Sequence, residues 1–118
     1  MFGSPPAANA TSCGKRGSWL VCWVKPSLHF WNFQLANWWM ESLDYRFAKI
    51  HINKHSAQYA ADGTVRAIVA ARDPGLPNWL DTCGHTSGTM CVRWIRAKTH
   101  PDPRARVVKL AELAVLSR

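Results

Sequence analysis

The stretch that most constrains this chain is residues 29–39, HFWNFQLANWW. Trp31, Phe33 and Leu35 alternate there with Asn32, Gln34 and Ala36. A period of two places alternate side chains on opposite faces of a strand, so this segment predicts a half-buried β-strand. The pattern recurs at Ala48, Ile50 and Ile52, which alternate with Lys49, His51 and Asn53. A weaker third strand is expected over residues 55–59. Asp62-Gly63 then separates strand-like runs and predicts a type I′ hairpin turn, whose two central positions need positive φ. Beyond it Val65, Ala67, Val69 and Ala71 share one face, and Arg66, Ile68, Ala70 and Arg72 share the other. The small side chains on this strand predict a large residue, a Trp, packed over them. A last clear strand covers residues 90–97. Residues 106–116 predict a strand, a short helix, or one followed by the other. Residues 41–45 break the first alternation and read as a helical turn or a crossing loop.

Such a pattern, joined by hairpin-type connections, predicts an all-β or mainly β antiparallel sandwich with a short C-terminal helix or strand. The chain of 118 residues suffices for one domain. Its core must be built unusually, because Leu, Ile, Val and Phe make up only about a fifth of the chain, near the lower limit for folding. Seven Trp and many Ala fill the deficit. Residues 1–28 are rich in Gly, Ser, Pro and Ala and predict a loosely packed N-terminal segment, with residues 29–118 forming the sandwich. Within that segment 19–24 reads as a strand or an adhering segment, too short an apolar run for an export signal. No run reaches the ~20 apolar residues of a membrane span.

The net charge is +8. Residues 1–28 contribute +3, residues 29–62 none, and residues 63–118 the remaining +5. Arg93, Arg96, Lys98, Arg104, Arg106 and Lys109 carry most of that excess and form a candidate basic patch. Nucleic-acid binding is one reading of it, if these side chains form one continuous face. A solvated basic edge outweighs that reading. Cys13, Cys22, Cys83 and Cys91 lack the C-x-x-C spacing of zinc or redox sites and predict free thiols in a cytoplasmic protein. His51 and His55, four residues apart on a strand, stand about 13 Å apart and cannot share a metal ion. No metal site and no cofactor is expected. Cys83 and His85 offer a thiolate–imidazolium pair, but a small apolar thiol beside a surface histidine is the simpler account.

The 72–79 loop, RDPGLPNW, carries the densest turn chemistry. Pro74-Gly75 suits the central positions of a type II turn, and Asp73 can accept the Gly75 N–H. Arg72, Asp73, Asn78 and Trp79, together with His85, form the candidate ligand-binding set. A cleft lined by Arg72, Asn78 and His85 would favour part of a small-molecule or carbohydrate-handling enzyme. Its absence favours a non-catalytic binding or assembly module. The loop itself is expected to be chiefly a structural clasp, in which Asn78 bridges loop backbone and Trp79 enters the core.

The order of these features resembles the C-terminal part of a bacterial family, domain of unknown function 1214. The matching residues run from Trp31-x-Phe33-x-Leu35 and Tyr45-Arg46 through Ala61-Asp62-Gly63-Thr64 and Asn78-Trp79-Leu80. They end with residues 84–88 and the strand around Arg93-Trp94. The resemblance covers residues 30–109 and implies a jelly-roll-like β domain, often paired with a second domain, numbered 1254. It supplies no catalytic residues. This chain lacks the family's upstream strands, which implies an incomplete sandwich, an open apolar edge along 30–39, and self-association. Together these features favour an uncharacterised, non-catalytic binding or assembly module, with a small molecule or a protein as partner.

Overall fold

In a computed structural model, residues 9–10, 18–24, 30–85, 87–98 and 102–116 are described. Their backbone forms eight strands and one helix: β1 (Asn9–Ala10), β2 (Ser18–Val24), β3 (Phe30–Ala36), β4 (His51–Asn53), β5 (Thr64–Ala70), β6 (Trp79–Asp81), β7 (Gly88–Ile95), β8 (Arg104–Val108) and α1 (Leu110–Leu116). The fold is mainly β, with two four-stranded sheets and a short C-terminal helix. The first sheet runs β1-β7-β3-β4 and the second β6-β5-β2-β8.

The alternation in β3 does what its sequence dictates. Trp31, Phe33 and Leu35 are buried while Asn32, Gln34 and Ala36 are half-buried on the opposite face. Ile50 and Ile52, Met90 and Val92 join them from the neighbouring segments. From the second sheet Val21, Val65, Ala67, Val69 and Leu80 complete the same core. The two sheets therefore share one apolar layer. Trp31 belongs to the cluster that contains Ala67, in keeping with a large ring over small side chains.

Several expectations are corrected. Residues 18–24 take up the strand offered for 19–24 and are not loosely packed: β2 lies between β5 and β8, with Cys22 opposite both Arg66 and Arg104. The sandwich thus begins before residue 29. Nor is β3 an open edge, because it pairs with β7 on one side and β4 on the other. Residues 55–59 form a turn and a single bridge, Tyr59 to Val65, instead of a strand. Asn53 draws the chain round, its Oδ1 accepting the N–H groups of His55 and Ser56. The Asp62-Gly63 turn is not type I′, since Gly63 is at φ 81° but Asp62 is not at positive φ. Gly63 donates to the Ala60 carbonyl and Ala60 to that of Thr64, a three-residue loop closed by a glycine bulge.

Hairpin connections are also fewer than expected. The chain changes sheet between β1 and β2, β2 and β3, β4 and β5, β6 and β7, and β7 and β8. The β5–β6 pair is parallel. Finally, β5 is buried on both faces from Ala67 to Ala70. Ile68 and Ala70 pack with Leu20, Val108 and Leu113 of α1 on the outer side of the second sheet. The helix adds a third layer, stabilising by about 1.5–3 kcal/mol for each large aliphatic side chain it helps to bury.

Candidate functional site

The 72–79 loop takes the turn its residues predict and is tied to neighbouring backbone through Asn78. Asp73 Oδ1 accepts the Gly75 N–H at 2.8 Å, and Gly75 takes φ 73°. Asn78 is 4% exposed and itself sits at φ 60°. Its Nδ2 donates to the Gln58 carbonyl at 2.8 Å and the Arg66 carbonyl at 3.1 Å. Its Oδ1 accepts the Gln58 N–H at 2.8 Å. A single amide thus joins three segments of backbone and is left with little capacity for a ligand. Trp79 is half-buried against the helix-side cluster and donates from Nε1 to the Ala70 carbonyl. Arg72 and Asp73 are exposed.

The five candidate residues do not converge. A groove of about 220 Å³ lies beside the loop, lined by Gln58, Tyr59, Arg66, Leu76, Pro77, Asn78 and neighbours. Arg72 and His85 are outside that lining. His85 instead borders a cavity of about 40 Å³ with Thr82, Ser87 and Thr89. Its Nδ1 is 3.1 Å from the Thr82 carbonyl. Thr82 Oγ1 is buried there without a protein partner, and the cavity is large enough for water. Burial and the charges of Asp81 and Asp44 push the Cys83 thiol pKa up, which disfavours the thiolate. Among the described residues, Cys22, Cys83 and Cys91 carry free thiols; Cys13 lies outside them. No group of three or more His, Cys, Asp or Glu among the described residues is placed to hold a metal ion.

The basic residues divide between two faces. Arg93 points outward from the first sheet, at the alternate position to buried Val92, and donates to Gln34 Oε1. Arg104 and Arg106 lie on β8 and line a groove with Cys22 and Arg66 on the outer side of the second sheet. Since the sheets pack through their inner faces, these two sets point away from each other. Arg96, at φ 53°, and Lys98 follow β7, and Lys109 precedes α1. The candidate patch is therefore not one continuous face. Arg66 and Cys22 escaped the sequence reading because only the register of β5, β2 and β8 brings them beside Arg104.

A feature of greater extent lies in the β3–β4 connection. Trp38, Trp39, Met40, Tyr45 and Phe47 are all exposed, Trp39 by 77% and Phe47 by 85%. Trp38 and Trp39 are exposed together because β3 ends at Ala36, before either of them. Asn37 then closes a tight loop. Its Oδ1 accepts the N–H groups of Trp39 and Glu41, its own N–H donates to the Glu41 carbonyl, and Met40 takes φ 63°. A second turn follows, in which Asp44 accepts from the Arg46 N–H and guanidinium, with the guanidinium carbon 5.3 Å from the Phe47 ring centre. Leu43, between the two turns, is buried in the core. Five large apolar side chains are thus held outward on a hydrogen-bonded, anchored frame. The turn residues Asn37 and Asp44 were the available signal.

No helix among the described residues is long and apolar enough to cross a membrane. No protein-family model matches the chain, and no curated protein matches it. A solved structure does: an uncharacterized protein from Burkholderia cenocepacia, 52% identical, with a TM-score of 0.83. The match covers 86% of this chain and 28% of that one. This chain therefore resembles, in sequence and fold, a portion of a considerably longer uncharacterised protein.

Proposed function

We propose that this β-sandwich is a non-catalytic assembly module that docks onto a companion domain through the 38–47 connection. The observation that carries the reading is the outward presentation of Trp38, Trp39, Met40, Tyr45 and Phe47 on a loop fixed by Asn37 and Asp44. Large apolar side chains exposed together mark interaction surfaces, and Trp and Tyr are enriched among the residues that dominate binding energy. Fixing the loop beforehand lowers the ordering cost of association. The companion is a domain with an apolar face, of the kind available in a longer chain: nearly three quarters of the Burkholderia protein lies outside the match. Kinship with domain of unknown function 1214 is part of the same proposal, because members of that family are often paired with a second domain. Supporting it is the order of the residues from Trp31-x-Phe33-x-Leu35 to Arg93-Trp94.

The test combines this chain with the remainder of the Burkholderia protein, produced without its matched portion, and follows association by calorimetry. Binding is expected, with Trp39→Ser/Phe47→Ser lowering affinity at least a hundredfold while leaving the melting midpoint of the isolated module unchanged. Absence of binding, or binding indifferent to both substitutions, overturns the proposal. Sedimentation of this chain alone covers the other occupant: a dimer abolished by the same pair would replace the companion domain by a second copy.

A further inference from the structure

The register of the second sheet creates a concentration of positive charge that the docking loop does not use. Cys22 on β2 stands opposite Arg66 on β5 and Arg104 on β8, and Leu20 stands opposite Ile68 and Arg106. Neighbouring strands are about 4.8 Å apart and alternate residues along a strand about 6.7 Å apart. Three guanidinium groups therefore rise from one small area of a single sheet face. Like charges gathered on a face repel one another. Even so, among the described residues the lining of the open groove of about 500 Å³ that they border, namely Leu20, Cys22, Arg66, Arg104, Ala105, Arg106 and Val115, holds no carboxylate. Arg104 and Arg106 form no ion pair among the described residues; the ion pair found there joins Arg46 to Asp44.

We propose that this groove binds a small organic anion, a carboxylate or phosphate ester with an apolar body. The planar guanidinium fork matches both oxyanions through two parallel N–H···O bonds, which a lysine cannot supply. Arg104 and Arg106 hold the anionic head, with Arg66 on the far side of Cys22. The apolar body lies along Leu20 and the exposed Val115 of α1, giving the site its preference for an amphiphilic ligand over a bare ion. Cys22, half-buried at the centre, reports on the field. Burial pushes its thiol pKa up, and the charges of Arg66 and Arg106 act against that.

Hexyl phosphate, hexanoate and inorganic phosphate are the probes, titrated against the full chain and read by calorimetry. In parallel, iodoacetamide alkylation is mapped separately for the Cys22 and Cys91 peptides. Hexyl phosphate is expected to bind at least tenfold more tightly than inorganic phosphate and to slow alkylation at Cys22 at least fivefold, with Cys91 unaffected. Arg104→Gln/Arg106→Gln should abolish both effects. Arg104→Lys/Arg106→Lys, which keeps the charge and the fold, should weaken binding at least threefold. Arg93→Gln, on the opposite sheet, should change nothing. The proposal is overturned if Cys22 goes unprotected at millimolar hexyl phosphate, if Arg93→Gln weakens binding as much as the β8 pair, or if the lysine variant binds as well as the parent. It is equally overturned if a single-stranded oligonucleotide binds more tightly and depends on Arg93 as well, which would make the surface a polyanion track.

Discussion

Replacing Asn78 separates a clasp from a ligand-binding loop. In Asn78→Ala three hydrogen bonds disappear from a site that is 4% exposed, leaving the Gln58 N–H, the Gln58 carbonyl and the Arg66 carbonyl without their side-chain partner. A buried polar group deprived of its partner costs about 1–3 kcal/mol. Water reaching Gln58, which is exposed, lowers its share. Alanine at φ 60° adds about 1 kcal/mol of backbone strain that asparagine tolerates better. The sum is about 3–5 kcal/mol, a large part of the ~5–15 kcal/mol that holds an ordinary domain together. Asn78→Gly loses the same hydrogen bonds without the strain, so it should be about 1 kcal/mol more stable than the alanine variant. Asn78→Asp keeps the acceptor for the Gln58 N–H but turns a second oxygen toward two carbonyls. It should be no more stable than alanine at neutral pH and should recover partly when its carboxyl is protonated. Urea unfolding followed by tryptophan fluorescence measures all three. An Asn78→Ala protein within 1 kcal/mol of the parent would refute the clasp and return Asn78 to the candidate ligand-binding set.

Glycine substitutions offer a second check. A Cβ at Gly88 would fall 2.5 Å from the Ala36 carbonyl oxygen, whereas one at Gly75 meets nothing within 4 Å. Gly88→Ala should thus cost about 2–3 kcal/mol by forcing β7 and the end of β3 apart, and Gly75→Ala about 1 kcal/mol through its φ alone; equal costs in urea unfolding would contradict this. Acid stability tests the 60–64 loop. The Thr64 hydroxyl, and next its N–H, donate to Asp62 and lower its carboxyl pKa below 3.8. A carboxylate whose pKa is lower folded than unfolded adds stability above the unfolded pKa and loses it as pH falls through the folded one. The melting midpoint should drop through that range, less steeply in Asp62→Asn; parallel pH curves for the two proteins would remove Asp62 from the account.

Much of the architecture was legible in the chain because the responsible signals are local. Alternation at Trp31, Phe33 and Leu35 chose the buried face of β3 without reference to any neighbour. Asp73 and Gly75 specified their turn through one hydrogen bond and one permitted φ. What sequence could not supply was register and partnership. Ile68 and Ala70 read as the outward face of a half-buried strand, yet α1 covers them: a helix about forty residues beyond β5 leaves no local trace in it. Arg93 and Arg104 are close in sequence yet belong to opposite faces, because the chain changes sheet between β7 and β8. Conversely Arg66, Cys22 and Arg104, far apart in sequence, meet in one groove because backbone pairing aligns them. The exposure of Trp38 and Trp39 was equally hidden, since it depends on where β3 stops and not on its period. Local sterics and periodicity are written into each segment, whereas the grouping of charges and aromatic side chains into surfaces arises only when the sheets assemble.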